Sequence, residues 1–189
     1  MKGDQIIIKS IEEHSEGIEI IKELSPRIIT LSERIKNCFK SDKKLLICGN
    51  GGSASDAQHF SSELTGYFEK RRNGLPALAL TTDTSAITAI GNDFGFDNIF
   101  SRQVQAIGCK DDIILVISTS GNSQNILEAI KAARRKSMFV ASLTGHEGGK
   151  VKNLVDLSLN VNLNKTSRIQ EMHILIIHLL SELIEYENE

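Results

Sequence analysis

The sequence lacks the features of several protein classes. Its 189 residues contain only Cys38, Cys48 and Cys109, an odd count without CxxC spacing, so neither a disulfide framework nor a zinc–thiolate site is expected. Cys48 lies in an apolar run and is interpreted as a small core residue. No apolar run reaches ~18 residues, and the N-terminus has no long apolar stretch after its lysine. These absences predict a cytoplasmic protein that does not cross a membrane.

The chain also lacks a strong charge of either sign. Its formal net charge is −2, so no overall field attracts nucleic acid. The basic runs at 43–44, 70–72 and 134–136 are short, and we interpret them as solvated surface. The sequence therefore predicts no nucleic-acid partner.

Repeats, low-complexity tracts and linkers are absent as well, which favours one domain over residues 1–189. Apolar spacing predicts helices at 4–24 and 27–40, separated by Pro26. Short apolar runs predict strands at 44–48, 77–80, 112–117, 138–143 and 155–161, and helical patterns occupy 53–69, 84–91, 98–107, 123–136 and 167–187. This alternation favours an α/β fold with a five-stranded parallel sheet covered on both faces.

Apolar stripes on the long terminal helices indicate an oligomer, with residues 1–40 serving in the subunit interface and 41–189 forming the α/β core and C-terminal helix. The alternative is that the stripes face the protein's own core.

Two polar loops follow predicted buried strands. The first, at 49–53, reads Gly-Asn-Gly-Gly-Ser, and the second, at 118–123, reads Ser-Thr-Ser-Gly-Asn-Ser. Small residues let the backbone approach an anion, and hydroxyls together with the N–H groups of a helix N-terminus can hold a phosphate. The four hydroxyls of the second loop suit the three free oxygens of a phosphomonoester. The alternative is that both loops are ordinary strand-to-helix turns with helix caps.

The first loop also matches the spacing of a dinucleotide fingerprint, Gly49-x-Gly51-x-x-Ala54. A second turn dense in hydroxyls argues against a dinucleotide site, which needs one glycine-rich turn. No Gly-Lys-Ser/Thr follows the glycines, so a P-loop is excluded.

Four polar residues on two predicted helices could bind a metal or move protons. His59 and Glu63 are four residues apart and share a helix face, and Gln170 and His178 are eight apart and nearly do. Two imidazoles, a carboxylate and an amide oxygen are plausible ligands for zinc or a similar ion. Each residue also has an ordinary interpretation as a surface or core side chain. His173 points 60° to 100° away from the shared direction, at about 100° per residue, and is not counted as a ligand.

These segments resemble a known family. Residues 49–64, Gly-Asn-Gly-Gly-Ser-Ala-Ser-Asp-Ala-Gln-His-Phe-Ser-Ser-Glu-Leu, resemble the signature of the sugar isomerase (SIS) domain proteins, and more closely that of the phosphoheptose isomerases. The segments at 89–95, 117–123 and 168–178 agree with the same family in the same order. The resemblance covers essentially the whole chain, and its motifs are specific as a set.

The resemblance implies a single SIS-type domain that converts sedoheptulose 7-phosphate to D-glycero-D-manno-heptose 7-phosphate through a cis-enediol. The product would feed nucleotide-activated heptose for bacterial lipopolysaccharide, capsule or surface-layer glycans. Such proteins are typically zinc-binding homotetramers, with one Zn²⁺ per subunit and sites between subunits. The implied metal ligands are His59, Glu63, Gln170 and His178, and Glu63 and His178 would also be the acid–base pair. The implied substrate contacts are Asn50, Gly51, Gly52, Ser53, Asn92, Asp93, Ser118, Thr119, Ser120, Ser123 and Gln170.

Other interpretations remain open at this point. SIS proteins that associate with the bacterial replication initiator resemble this chain in the glycine-rich loop and in Arg-Ile-Gln-Glu-Met-His, but lack the counterparts of Glu63 and His178, which this chain has. A sugar-phosphate sensor would need the loops without the acid–base pair. An amino-sugar 6-phosphate isomerase or a lyase is a further alternative.

Overall fold

The computed structural model describes residues 3–186 as one α/β domain. Its five strands form one parallel sheet in the order β2-β1-β3-β4-β5, which confirms the predicted fold class. The strands are β1 (Leu45–Gly49), β2 (Ala77–Ala79), β3 (Ile113–Ser118), β4 (Phe139–Gly145) and β5 (Leu157–Val161). The helices are α1 (Gly3–Lys40), α2 (Gly52–Thr65), α3 (Thr84–Phe94), α4 (Ser101–Ile107), α5 (Gln124–Arg135) and α6 (Thr166–Glu185).

The core lies on both faces of the sheet. Every residue of β1 and β3 is buried, as expected of continuous apolar strands in a sheet covered by helices. Leu45 and Ile47 pack on one face against α1, α2 and α6, while Leu46 and Cys48 pack on the other with α4 and α5. Cys48 is fully buried, as predicted. Within residues 3–186, none of the helices combines the length and hydropathy that a membrane span requires.

The sheet register brings the two polar loops to the same edge. Gly49, the last residue of β1, pairs with Ile117, one residue before the end of β3. Both strands are parallel and adjacent, so the loops that follow them emerge side by side. A crevice at the carboxyl ends of parallel strands is the usual ligand site of such sheets.

The predicted helix break at Pro26 is wrong, because α1 runs without interruption from Gly3 to Lys40. Proline removes one N–H and therefore one backbone hydrogen bond, to the carbonyl of Lys22. Both residues are exposed, so that carbonyl can be solvated. Ile21 and Ile28 are buried on either side of the proline, and this packing keeps both halves of the helix in line.

Several predicted helix boundaries also differ, and α3 extends to Phe94 rather than to residue 91. Helix α2 ends at Thr65 rather than at residue 69, because Gly66 follows and its N–H bonds to the carbonyl of Ser62. Helix α4 begins at Ser101, after a short 3-10 turn at Phe96–Asn98. None of these differences moves the two loops.

Candidate active site

The first loop is joined to the helix that follows the second loop. The side-chain amides of Asn50 and Asn125 pair reciprocally: the Nδ2 of Asn50 donates to the Oδ1 of Asn125 at 2.9 Å, and the reverse bond is 2.8 Å. Gly51 lies between loop and helix at φ 57°, a conformation that favours glycine. The paired amides therefore fix the spacing of the two loops.

The second loop presents hydroxyls at the start of α5. Ser118 is buried, and its Oγ lies 3.5 Å from the Oγ of Ser123. Ser123 precedes the first residue of α5 and makes no side-chain capping bond. Ser120 is exposed, and its Oγ accepts from the backbone N–H of Asn122 at 3.2 Å. This geometry leaves hydroxyls beside the N-terminus of a 12-residue helix, where the helix dipole favours an anion.

Three of the four predicted metal ligands meet between α2 and α6. The Nε2 of His59 lies 2.9 Å from the Oε1 of Glu63, which confirms that the two share a helix face. The Nε2 of His178 lies 3.3 Å from the Nε2 of His59, and the two rings meet edge-on at a centroid distance of 5.1 Å. A carboxylate and two imidazoles thus form a connected chain.

Gln170, the fourth predicted ligand, packs against the start of α2. A Cβ placed on Gly52 would lie 2.8 Å from the Cδ of Gln170. The absence of a side chain at Gly52 therefore makes room for the amide of Gln170. This contact links the first loop to α6, because Gln170 lies on α6 eight residues before His178.

The donor types at this site suit zinc. Two imidazole nitrogens and one carboxylate oxygen form the protein ligand set of one class of catalytic zinc sites. Neighbouring ligands around a tetrahedral zinc with bonds of about 2.0–2.1 Å are roughly 3.3 Å apart, close to the separations found here. The side chains nevertheless point at one another, and residues 3–186 contain no group of three or more His, Cys, Asp or Glu already arranged around a common point.

Comparison with known proteins identifies the family. Residues 11–145 match the SIS domain family model. The chain is 51% identical over 180 residues to the phosphoheptose isomerase of Neisseria gonorrhoeae, covering 94% of this chain and 90% of that protein. This chain belongs to the phosphoheptose isomerase family. It is therefore an isomerase, as predicted.

Solved structures of phosphoheptose isomerases agree along nearly the whole chain. The protein from Francisella tularensis superposes with a TM-score of 0.95 at 42% identity, covering 99% of this chain and all of that one. The protein from Neisseria gonorrhoeae gives 0.92 at 46% identity, covering 97% and 99%. The SIS-type fold inferred from sequence motifs is therefore confirmed.

Not every residue implied by the family resemblance lies at this site in the single chain. Asn92 and Asp93 are exposed on α3, and the Nδ2 of Asn92 donates to the Oδ1 of Asp93 at 2.8 Å. Within residues 3–186 no hydrogen bond joins either side chain to the two loops. Their substrate role stays a prediction.

Three residues near the site went unnoticed in the sequence. Asn125 could have been suspected from its place in the first turn of α5. Asp56 precedes His59 by one helical turn, and one of its carboxylate oxygens is buried without a hydrogen-bond partner within residues 3–186. Burial raises the pKa of Asp56 to about 6, although His59 acts in the opposite direction. Phe68 lies 5.5 Å from His178 between ring centroids, and nothing in the sequence indicated that contact.

The interpretation of the short basic runs as solvated surface is wrong for two members. The Nζ of Lys44 lies 2.6 Å from Asp112, which is almost fully buried. Arg72 is also largely buried, with its Nε 3.0 Å from Glu185. Both cations pair with carboxylates that are distant in sequence, which charge patterning does not reveal.

Proposed function

We propose that this member of the phosphoheptose isomerase family converts sedoheptulose 7-phosphate to D-glycero-D-manno-heptose 7-phosphate. The observation that carries the proposal is the chain of contacts from Glu63 through His59 to His178. Helix α2, which carries the first two of these residues, starts from the glycine-rich loop. A sugar-phosphate isomerisation needs a general base and a general acid, which a carboxylate and an imidazole can supply, together with a site for the phosphate.

The reaction is a proton transfer between neighbouring carbons. Carbon 1 of the ketose loses a proton, carbon 2 gains one, and the carbonyl moves from carbon 2 to carbon 1 through a cis-enediol. Glu63 acts as the general base and His178 as the general acid, with the roles exchanged in the reverse direction. His59 lies between them and orients both side chains.

The phosphate of the substrate binds at the second loop. The hydroxyls of Ser118, Thr119, Ser120 and Ser123 and the N-terminus of α5 are its donors, and Gly51 and Gly52 allow close backbone approach. Removing one hydroxyl–phosphate hydrogen bond costs roughly 1.5–3 kcal/mol of binding. Ser120→Ala should therefore raise KM by about tenfold or more and leave kcat near its original value, measured by steady-state kinetics. An unchanged KM would place the phosphate elsewhere.

One zinc ion per subunit would be held by His59, Glu63, Gln170 and His178. A carboxylate bound tightly to zinc is a poorer base, so either Glu63 would leave the metal during the reaction or the metal would be partly structural. When bound, it supplies Lewis-acid polarisation of the substrate oxygens. The donor types of all four residues support this assignment, as do the contacts of Glu63 and His178 with His59. The family resemblance further supports a cytoplasmic homotetramer with sites at subunit interfaces, whose product enters the synthesis of nucleotide-activated heptose.

The test is isomerisation of sedoheptulose 7-phosphate by the purified protein, before and after chelation and zinc re-addition. Turnover that falls on chelation and returns with zinc supports both the reaction and the metal. Turnover indifferent to chelation contradicts the catalytic zinc alone. Absence of turnover with metal restored contradicts the isomerase and favours a protein-binding or sensing SIS domain.

The base is tested separately by deuterium exchange from solvent at the reacting carbon. Glu63→Gln should abolish the exchange while the protein still binds substrate. Glu182→Gln, on an exposed position of α6, is the matched control and should exchange normally. Normal exchange in Glu63→Gln would remove Glu63 from the role of base.

A further inference from the structure

The segment between α2 and β2 closes the C-terminal end of α2. The guanidinium of Arg72 donates to the carbonyls of Glu63 and Leu64, both at 2.8 Å, and to that of Gly66 at 3.1 Å. The last carbonyls of a helix have no partner within the helix, and a cation there also complements its dipole. Arg72 therefore fixes the backbone of the turn that carries Glu63.

The same segment is bound to the end of α6 by a buried carboxylate. Glu185, the last residue of α6, accepts from the backbone N–H groups of Phe68, Glu69 and Lys70 at 2.7, 2.8 and 2.9 Å. Its side chain is only 3% exposed. Burial alone would raise the pKa of Glu185, but these three donors and Arg72 outweigh it and lower the pKa. The carboxylate is thus held in its charged form.

Arg72 and Glu185 also face each other. The Nε of Arg72 lies 3.0 Å from the Oε1 of Glu185, and the arginine side chain is 18% exposed. The Nε–H is not aligned for a hydrogen bond to any atom of the described residues, so the contact is electrostatic. Removing one member of such a buried pair leaves the other charge uncompensated.

The segment reaches the second member of the acid–base pair through Phe68. The Phe68 ring lies 5.5 Å from the His178 ring between centroids, at an interplanar angle of 32°. The backbone N–H of Phe68 is one of the three held by Glu185. The carboxylate at the end of α6 therefore positions the ring that packs on His178, two turns earlier in the same helix.

We propose that Arg72 and Glu185 are positioning residues that hold Glu63 and His178 at their working separation. Glu63 is three residues from the start of the loop that follows α2, in a turn that would fray without partners for its carbonyls. Arg72 supplies those partners, and Glu185 ties the same loop to α6. The inference rests on the proposed roles of Glu63 and His178 as base and acid.

The Arg72–Glu185 pair lies far from the loop that binds substrate, so changing the pair should affect catalysis more than substrate binding. Helix α2 has 14 residues and spans about 20 Å at 1.5 Å per residue. The glycine-rich loop lies at its N-terminal end and the Arg72–Glu185 pair at its C-terminal end. Disturbing the pair should therefore lower kcat and leave KM largely unchanged.

The experiment compares Arg72→Lys and Glu185→Gln with the unaltered protein. Both substitutions keep side-chain size and some hydrogen bonding but remove the forked guanidinium or the charge. We expect kcat per folded enzyme to fall between about tenfold and about a hundredfold, as small displacements of catalytic groups do, with KM changed less than about twofold. Amide hydrogen exchange, measured without substrate or metal, should accelerate at residues 68–70 in Glu185→Gln.

Asp112→Asn is the matched control. Asp112 is another buried carboxylate that accepts backbone N–H groups, from Lys44 and Cys109, and pairs with a lysine. These contacts involve neither α2, nor α6, nor the segment between α2 and β2. It should lower the melting temperature and leave kcat per folded enzyme unchanged. An equal loss of kcat in all three variants, or an unchanged kcat in Arg72→Lys and Glu185→Gln, would overturn the inference.

The outcome also separates this inference from the proposed function. An unaltered protein that fails to isomerise sedoheptulose 7-phosphate contradicts the proposed function, and the positioning role with it. An unaltered protein that turns over, together with variants that keep its kcat, contradicts the positioning role alone.

Discussion

At the scale of single residues, Gly52 is constrained by the side chain opposite it rather than by its own backbone. A Cβ at this position would overlap the amide of Gln170, a proposed metal ligand and substrate contact. Gly52→Ala should therefore displace Gln170 and lower kcat/KM by about tenfold to a hundredfold, in steady-state assays of isomerisation. The same overlap can also destabilise the fold, so kcat/KM is expressed per folded enzyme.

Ser55→Ala is the control for this substitution, because Ser55 is exposed on the same helix. It should leave kcat/KM unchanged. Full activity in Gly52→Ala would show that the position of Gln170 does not matter for the reaction.

The single residue His173 should make the stability of the protein depend on pH. It is fully buried, its Nε2 donates to the carbonyl of Thr144 at 3.0 Å, and its Nδ1 has no partner within residues 3–186. Burial lowers the pKa of His173 to about 4 from 6.5, and the bond to Thr144 opposes this only in part. Between those two pH values the unfolded chain binds a proton that the folded chain does not. The contribution of His173 to the free energy of unfolding should therefore fall by about 3 kcal/mol from pH 7 to pH 4.

His173→Gln isolates this contribution, because glutamine keeps a donor for Thr144 but does not titrate. Urea unfolding at pH 7, 6, 5 and 4 should show the unaltered protein losing about 3 kcal/mol relative to the variant. Asp56, with its raised pKa, changes stability with the opposite sign in an overlapping range, but it is present in both proteins and cancels in the difference. A difference independent of pH would mean that the folded protein protonates His173 readily.

Contacts at the site between residues close in sequence were predicted, whereas contacts between residues distant in sequence were not predicted from the residues alone. His59 and Glu63 were correctly placed together because four residues make one turn of a helix. The contact of His178 with His59 spans 119 residues, and only the family resemblance pointed to it. The pairing of Arg72 with Glu185 has no local signal, because one residue lies in a basic run and the other at the end of an apolar helix.

At the scale of elements, the strands were predicted well because buried parallel strands are continuous apolar runs. For example, both observed boundaries of β1 lie one residue after the predicted ones. Helix α1 was predicted less well. Proline is the least favourable residue in a helix interior, so local propensity indicated a break at Pro26. Packing of the buried face of α1 on both sides of the proline overrides that propensity, as tertiary context often does.

Pro26 should therefore cost stability without being needed for the fold. Pro26→Ala restores a backbone donor to the carbonyl of Lys22 and should raise the free energy of unfolding by about 1–3 kcal/mol. Urea unfolding at fixed protein concentration measures it, since association also changes apparent stability. Ser25→Ala, which removes only a hydroxyl bond to the carbonyl of Ile21, is the neighbouring control and should change stability by less than about 0.5 kcal/mol. Equal or lower stability in Pro26→Ala would mean that the proline already fits the helix without strain.

At the scale of the whole molecule, the single chain leaves large apolar side chains exposed on two regions. Near the start of α1, Ile6, Ile7, Ile8 and Ile11 are each more than half exposed. A second region lies around a groove of about 500 Å³ between α3 and α4, whose lining includes Leu78, Ile90 and Phe94. Contiguous exposed apolar surface marks interaction sites in proteins of this size. Both regions support the proposed homotetramer. Asn92 and Asp93, whose proposed substrate role is untested, lie on α3, the helix that borders the second region.

The oligomer is tested by sedimentation of the unaltered protein and of a variant in the first region. The unaltered protein should sediment with about four times the 20.8 kDa mass of one chain. Ile7 and Ile11 are four residues apart on one helix face, so Ile7→Lys/Ile11→Lys places two charges in the proposed interface and should shift the protein to smaller species. Glu23→Lys makes the same total charge change at an exposed position of the same helix, twelve residues beyond Ile11, and should remain assembled. If sites lie between subunits, isomerase activity should fall with the tetramer fraction as the double variant is diluted. A double variant that keeps the mass of the unaltered assembly would place the interface away from the start of α1.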